Sequence, residues 1–275
     1  MLVMCQLVLV VCLFIGIQKG SSLLLEDDCG TTRDNGIHPL IDGKDADIFA
    51  HPWMVRVMIL NTPQCGGSLI TSRFVLTSAH CISRDYMSVR LGEYDIQHPR
   101  PICDNYGCKP RAFNVDVDMK IVHSDERYDI GLLRMNTSVT FSDYVRPICI
   151  LVDAPVGPAP LFNVTGWGRN SNGEPQHRLQ IATLIELPKE RCRKLGKVLD
   201  ESYICAGSDH SDSCEGDSGG PLSAIRRFAG QKRVFQFGVV SAGLPSCRGL
   251  AVYTNVTHFR SWILSAIQEY AYAIP

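Results

Sequence analysis

Residues 212–222 read Asp-Ser-Cys-Glu-Gly-Asp-Ser-Gly-Gly-Pro-Leu, with a serine at 218 set among glycines 216, 219 and 220. Glycine accepts backbone angles that other residues avoid, so such a stretch can aim the Ser218 hydroxyl and nearby N–H groups outward. The string Gly216-Asp217-Ser218-Gly219-Gly220 also satisfies the G-x-S-x-G pattern of the α/β-hydrolase elbow, whose partners follow in the order acid, then histidine. No Asp follows Ser218, and Glu269 comes after His258, the one histidine downstream. That order excludes the α/β-hydrolase arrangement.

Upstream, Thr77-Ser-Ala-His80-Cys81 ends an apolar strand and Asp129-Ile-Gly-Leu-Leu133 begins another. Alone, His80 reads as a packed histidine and Asp129 as a solvated turn residue. In the order His, Asp, Ser, and with the glycine-flanked serine, they read as base, orienting acid and nucleophile. Around them lie short β-rich segments: WMVRVMI from Trp53, FVLTSA from Phe74, MSVRL from Met87, LFNVTGW from Leu161 and VFQFGVVSA from Val234. Gly, Pro and Asn clusters separate them, the pattern of an all-β sandwich or barrel. Phe259, Trp262, Ile263, Ala266 and Ile267 recur at helical spacing and predict a C-terminal helix. His98 to Arg111 reads as a loop insertion, and LVDAPVGPAP (151–160) as a connection between two small β-barrels.

The 275 residues, 45% of them hydrophobic, suffice for one large domain or two small ones. Lys and Arg number 27 against 28 Asp and Glu, for a net charge of −1, so nothing points to nucleic acid or a strongly charged partner. The apolar run from Leu7 to Ile17 is short for a bilayer span of roughly 20 residues. Gly20, Ser21 and Ser22 follow it, so residues 1–22 read as a secretory signal peptide, with a retained signal anchor as the alternative. Its removal leaves ten cysteines, an even count that predicts disulfides and a secreted, extracellular protein; no Cys-x-x-Cys pair suggests zinc. Asn136, Asn163 and Asn255 head glycosylation sequons, with Asn163 in an apolar strand-like stretch.

CGGSLI (65–70), TSAHC (77–81), DIGLL (129–133), RPICI (146–150), VTGWG (164–168), DSCEGDSGGPL (212–222) and VYTNV (252–256) together resemble the chymotrypsin–trypsin serine protease family over about residues 40 to 268. The Cys103–Cys108 loop after LGEYD is similar to that of arthropod clip-domain proteases. Only Cys29 precedes the catalytic region, so a clip module's own disulfide knot is not expected. The resemblance implies an all-β fold of two antiparallel six-stranded β-barrels of the chymotrypsin type with a C-terminal helix. It implies a light-chain or propeptide segment over 23–39, a protease domain over 40–268, and barrels of about 40–145 and 146–268.

It also assigns roles. His80, Asp129 and Ser218 form the triad, and the N–H groups of Gly216 and Ser218 the oxyanion hole. Asp212 lies at the base of the S1 pocket, with Ser213, Ser241, Gly243 and Ala251 lining it, and demands a cationic Arg or Lys because an unpaired buried charge is costly. The implied disulfides are Cys65–Cys81, Cys192–Cys205, Cys214–Cys247, Cys29–Cys149 and Cys103–Cys108. Leu40 becomes the N-terminus that pairs with Asp217 on activation. No cofactor is required, although Glu93 and Asp95 are candidate ligands for a structural calcium ion. Partners are protein substrates with Arg or Lys at the cleaved bond and serpin-type inhibitors; the chain is expected to be a monomer, free of nucleic acid and, after signal removal, of membrane.

Three positions depart from the family's pattern. Pro39, not Arg or Lys, precedes Leu40, and Arg33 is the nearest upstream basic residue. Ala242 replaces an aromatic of the S1–S2 wall, and Ala251 replaces a glycine of the S1 floor. They support a second reading, a non-catalytic or weakly active homologue that serves as an extracellular binding or regulatory protein.

Overall fold

In this computed structural model the described residues are 23–33, 44–104, 107–153, 159, 161–169, 173–195, 200–208, 217–243 and 250–274. The signal peptide, Leu40, Asp212, Ser213, Cys214, Gly216 and Cys247 lie outside them.

Among the described residues fifteen strands follow in chain order. They are β1 (Lys44–Asp45), β2 (Met54–Ile59), β3 (Thr62–Leu69), β4 (Phe74–Thr77), β5 (Met87–Leu91), β6 (Ile102–Asp104), β7 (Gly107–Lys109), β8 (Phe113–Val122) and β9 (Gly131–Met135), then β10 (Phe162–Gly166), β11 (Gln180–Glu186), β12 (Tyr203–Gly207), β13 (Pro221–Phe228), β14 (Gln231–Gly243) and β15 (Ala251–Asn255). A one-turn helix, α1 (Lys189–Cys192), precedes β12, and α2 (Arg260–Tyr270) ends the chain. The expected segments from Trp53, Phe74, Met87, Leu161 and Val234 are all strands, because each pairs an apolar face with an antiparallel neighbour.

Strands β2-β3-β4-β9-β8-β5 close the first barrel. In the second, β11-β10-β13-β14-β15-β12 closes through Ile185↔Gly207 and Glu186↔Ala206. Every pairing between named strands is antiparallel. The resemblance implies a first barrel over about residues 40–145, yet β1 adds to the second, Lys44 opposite Ile181 and Asp45 opposite Gln180. Strand pairing across distant segments decides this, and local pattern carries no trace of it. The expected loop insertion of 98–111 contains a two-stranded hairpin, β6–β7.

Val55, Val57, Leu69, Val89, Leu133 and Met135 fill the first barrel, and Phe162, Leu184, Leu222, Phe235 and Tyr253 the second. A third apolar group, including Trp53, Leu76, Ile130, Val239 and Ile263, joins the barrels to α2. Four disulfides match the pairings implied by the resemblance: Cys29–Cys149, Cys65–Cys81, Cys103–Cys108 and Cys192–Cys205. The first fastens the segment 23–33, which also pairs Leu24 with Leu151 and hydrogen-bonds Gly30 N–H to the Pro147 carbonyl at 2.8 Å. No helix among the described residues is long and apolar enough to cross a membrane.

Candidate active site

His80 sits in a single 3-10 turn, Ala79–Cys81, directly after β4. The turn is fixed from several sides. Thr77 Oγ1 donates to the Gly66 carbonyl at 2.9 Å, Ser78 Oγ donates to the Val240 carbonyl at 2.8 Å, and Cys81 is bonded to Cys65. Asp129 lies two residues before β9, next to Tyr128, whose ring packs edge-on against His123 and Phe259 with centroids 5.0 Å away in each case.

The carboxylate of Asp129 meets the histidine twice. Its Oδ1 accepts from the His80 backbone N–H at 3.0 Å, and its two oxygens lie 3.0 and 2.9 Å from His80 Nδ1. Ser241 Oγ donates to Oδ2, and Thr254 Oγ1 donates to the Asp129 carbonyl at 2.8 Å. Ser241 is the extra residue of a β-bulge between Val240 and Ala242, a distortion that turns its side chain toward Asp129. The Asp129 side chain is 12% exposed and that of His80 45%, so the acid is sheltered and the imidazole faces solvent. Burial pushes the Asp129 carboxyl up, but hydrogen bonds from His80 and Ser241, with the charge of His80, outweigh it and hold the group below the usual carboxylate range.

A carboxylate only accepts hydrogen bonds, so this contact places the neutral imidazole's proton on Nδ1 and leaves Nε2 as a free base. Ser218 belongs to the same knot. Its carbonyl accepts from the Gly66 N–H at 2.8 Å, and Gly219 N–H donates to the Val240 carbonyl at 2.9 Å. Gly219 has φ +81°, and a Cβ there would stand 2.2 Å from Thr77 Oγ1 and 2.4 Å from the Gly66 carbonyl oxygen. Only glycine lets the residue after Ser218 come so close to the histidine turn.

Asp217 is buried, its Oδ1 accepting from the Gly168 N–H at 2.8 Å. A Cβ on Gly166 would approach that oxygen to 1.9 Å, so the VTGWG glycines shape the carboxylate's seat. Gly243, at the end of β14, is exposed, and Ala242 is half-buried. Ala251 is fully buried between Gly243 and Ala206 in the ladder. Ser78 and Thr254 also brace the site, and both stand inside the motifs TSAHC and VYTNV, the one signal of them in the sequence. The resemblance makes Ser241 a substrate-pocket residue, and its contact with Asp129 depends on the bulge.

Glu93 and Asp95 do not form a cradle for calcium. Glu93 accepts from Arg90 Nε at 2.6 Å and from the Tyr94 N–H at 3.1 Å. Asp95 meets Arg178 Nε and His98 Nδ1, both at 3.2 Å, and accepts from the Gln97 N–H at 3.0 Å. Lys109 Nζ donates to the Ile48 and Glu93 carbonyls at 3.2 and 3.3 Å, oxygens of the kind calcium would use. These residues, engaged with the chain's own cations, do not fit the ion. Among the described residues the one convergent group of three metal-ligating types is Cys65, His80 and Cys81, and its cysteines form a disulfide.

The family model described as Trypsin matches residues 40–263. The Drosophila melanogaster protein named Serine protease grass is 31% identical over 86% of this chain and 69% of its own length. The CLIP domain-containing serine protease B15 of Anopheles gambiae is 34% identical over 80% of this chain and 67% of its own. A venom protease of Bombus pensylvanicus is 33% identical over 84% of this chain and all of its own. Among solved structures, that of Drosophila Grass, described as a clip serine protease of the Toll pathway, superposes with a TM-score of 0.75 at 30% identity, covering 91% of this chain and 76% of that one. With two antiparallel barrels meeting at a histidine, an aspartate and a glycine-flanked serine, this chain belongs to the trypsin family of serine proteases.

Proposed function

We propose that this protein is a secreted endopeptidase that cleaves peptide bonds after Arg or Lys through an acyl-enzyme. The observation that carries the reading is the Asp129 carboxylate held against His80 Nδ1 with Ser241 donating to it, an arrangement that leaves Nε2 to act as the base. Ser218 Oγ attacks the scissile carbonyl while His80 Nε2 takes its proton, and the same proton passes to the leaving amine. Asp129 keeps the tautomer and stabilises the imidazolium. The N–H groups of Gly216 and Ser218 receive the oxyanion, each donor contributing about 3 kcal/mol to the transition state. Asp212 supplies the charge that selects a cationic side chain, with Ser213, Ser241, Gly243 and Ala251 as pocket residues. Protein substrates are the partners this chemistry requires, with serpin-type inhibitors as pseudo-substrates, and the chain works as a monomer over a domain of about residues 40–268.

Pro39 before Leu40 supports the second reading, a weakly active or non-catalytic homologue, because a trypsin-like activator does not cut after proline. Hydrolysis of fluorogenic peptides ending in Arg, Lys or Phe by the processed protein and its Asp212→Ser variant decides between them. Selective cleavage after Arg and Lys, lost in the variant, is the expected result. Equal rates on Arg-ended and Phe-ended peptides would refute the specificity, and no cleavage of any peptide would favour the homologue reading.

A further inference from the structure

The first barrel carries a basic cleft that the catalytic arrangement does not use. It is open, holds about 670 Å³, and lies between the chain leaving β5 and the start of β8, walled by Arg90, Gln97, His98, Arg100 and Arg111. No carboxylate lines it. Arg90 is already neutralised, with Nε 2.6 Å from Glu93 and Nη1 3.1 Å from Asn114 Oδ1. Arg100 and Arg111 are exposed, and neither guanidinium has an ion pair or hydrogen bond among the described residues. A second cleft of about 570 Å³ continues on the other side of Arg100, lined by Ile48, Tyr94, Ile102, Asp95 and Arg178. Asp95 there is buried and already paired with Arg178, 3.2 Å away. Arg100 therefore stands on the ridge between a cationic compartment and a partly apolar one.

Uncompensated charges of one sign on a concave wall concentrate counter-ions, and guanidinium groups match carboxylates in a two-point contact. We propose that these paired clefts dock an acidic peptide segment of a protein partner, its carboxylates on Arg100 and Arg111 and an aliphatic side chain in the compartment of Ile48, Tyr94 and Ile102. A sulfated polysaccharide would instead need a longer track of free cations than Arg100 and Arg111 supply. The inference does not depend on catalysis, since an inactive homologue would keep the surface.

The test is fluorescence anisotropy of a fluorescein-labelled, Glu-rich peptide with interspersed Leu, titrated with the full chain at low and at physiological salt. Saturable binding is expected, weaker at higher salt and weakened at least about tenfold by Arg100→Glu with Arg111→Glu. The milder Arg100→Gln with Arg111→Gln pair is expected to weaken it less and guards against a folding defect. Arg227→Glu with Lys232→Glu makes the same charge change on the exposed part of the β13–β14 hairpin and is expected to leave binding unaltered. Absence of binding at low salt, equal binding by the cleft variants, or tighter binding of a heparin oligosaccharide than of the peptide would each overturn the proposal.

Discussion

Replacing Asp129 by Asn removes one negative charge while keeping the side chain's shape, and so isolates what that charge does. The carboxylate oxygens lie 2.9 and 3.0 Å from His80 Nδ1, Ser241 Oγ donates to one of them, and the side chain is only 12% exposed. With a charge separation of about 4 Å and an effective dielectric of about 20, the attraction to the imidazolium formed in the transition state is about 4 kcal/mol. That corresponds to about a thousandfold in rate. The amide also presents its NH2 to Nδ1 and favours the tautomer with its proton on Nε2, where Ser218 needs an acceptor; the combined loss is about 10⁴-fold in kcat. Asp129 makes no contact that requires the substrate, so KM should change little. Steady-state hydrolysis of an Arg-ended peptide by the processed protein measures both constants, with a melting curve to confirm the fold. A kcat reduced by less than about tenfold would refute the role given to Asp129.

Other parts of the structure make separate predictions. The Arg134 side chain is 1% exposed, donates to both oxygens of Asp118 at 2.7 and 3.1 Å, and hydrogen-bonds the Tyr270 and Ala273 carbonyls at the end of α2. Arg134→Met should cost about 3–5 kcal/mol, read by denaturant unfolding, and a loss below about 1 kcal/mol would contradict this anchoring. Both ring nitrogens of His51 are buried with no hydrogen-bond partner among the described residues, and burial, with the charge of Lys109, lowers its pKa to about 3. The unfolded chain takes up that proton near pH 6.5 and the folded one only near pH 3, so stability should fall on acidification through this window, by up to about 1.4 kcal/mol per pH unit. His51→Phe should flatten that part of the unfolding profile; an unchanged slope would count against it. Asn136 is exposed, whereas Asn163 Oδ1 accepts from Thr183 and Asn255 Nδ2 donates to the Glu201 carbonyl at 2.9 Å. Secreted protein from insect cells should carry one N-glycan, lost with Asn136→Gln in an intact-mass measurement, and a glycan at Asn163 or Asn255 would contradict this reading.

Much of the site was legible because short motifs carry it. TSAHC, DIGLL and GDSGG each join an apolar strand to a polar residue whose type has little purpose in a core, and the order of the three restricts the chemistry. Other features depend on distant pairing and left no local signal. Residues 44–45 cross to the second barrel because β11 offers them an edge, and nothing in Lys-Asp announces it. Arg134 looks like a surface cation at the end of an apolar strand, yet Asp118 and the end of α2 draw it fully inside. Glu93 and Asp95 have the residue types of a calcium site. Their partners, Arg90, Arg178 and His98, lie 3 residues away at the nearest and 83 at the farthest.

The most direct measurement treats the processed protein, its Ser218→Ala variant and its His80→Ala variant with a fluorophosphonate probe, and maps the adduct by peptide mass spectrometry. One adduct on Ser218, absent from the first variant and formed far more slowly in the second, is the predicted result. A processed, folded chain that takes up no probe, or one labelled equally fast without the imidazole, would contradict the claim that His80 and Asp129 make this hydroxyl a nucleophile.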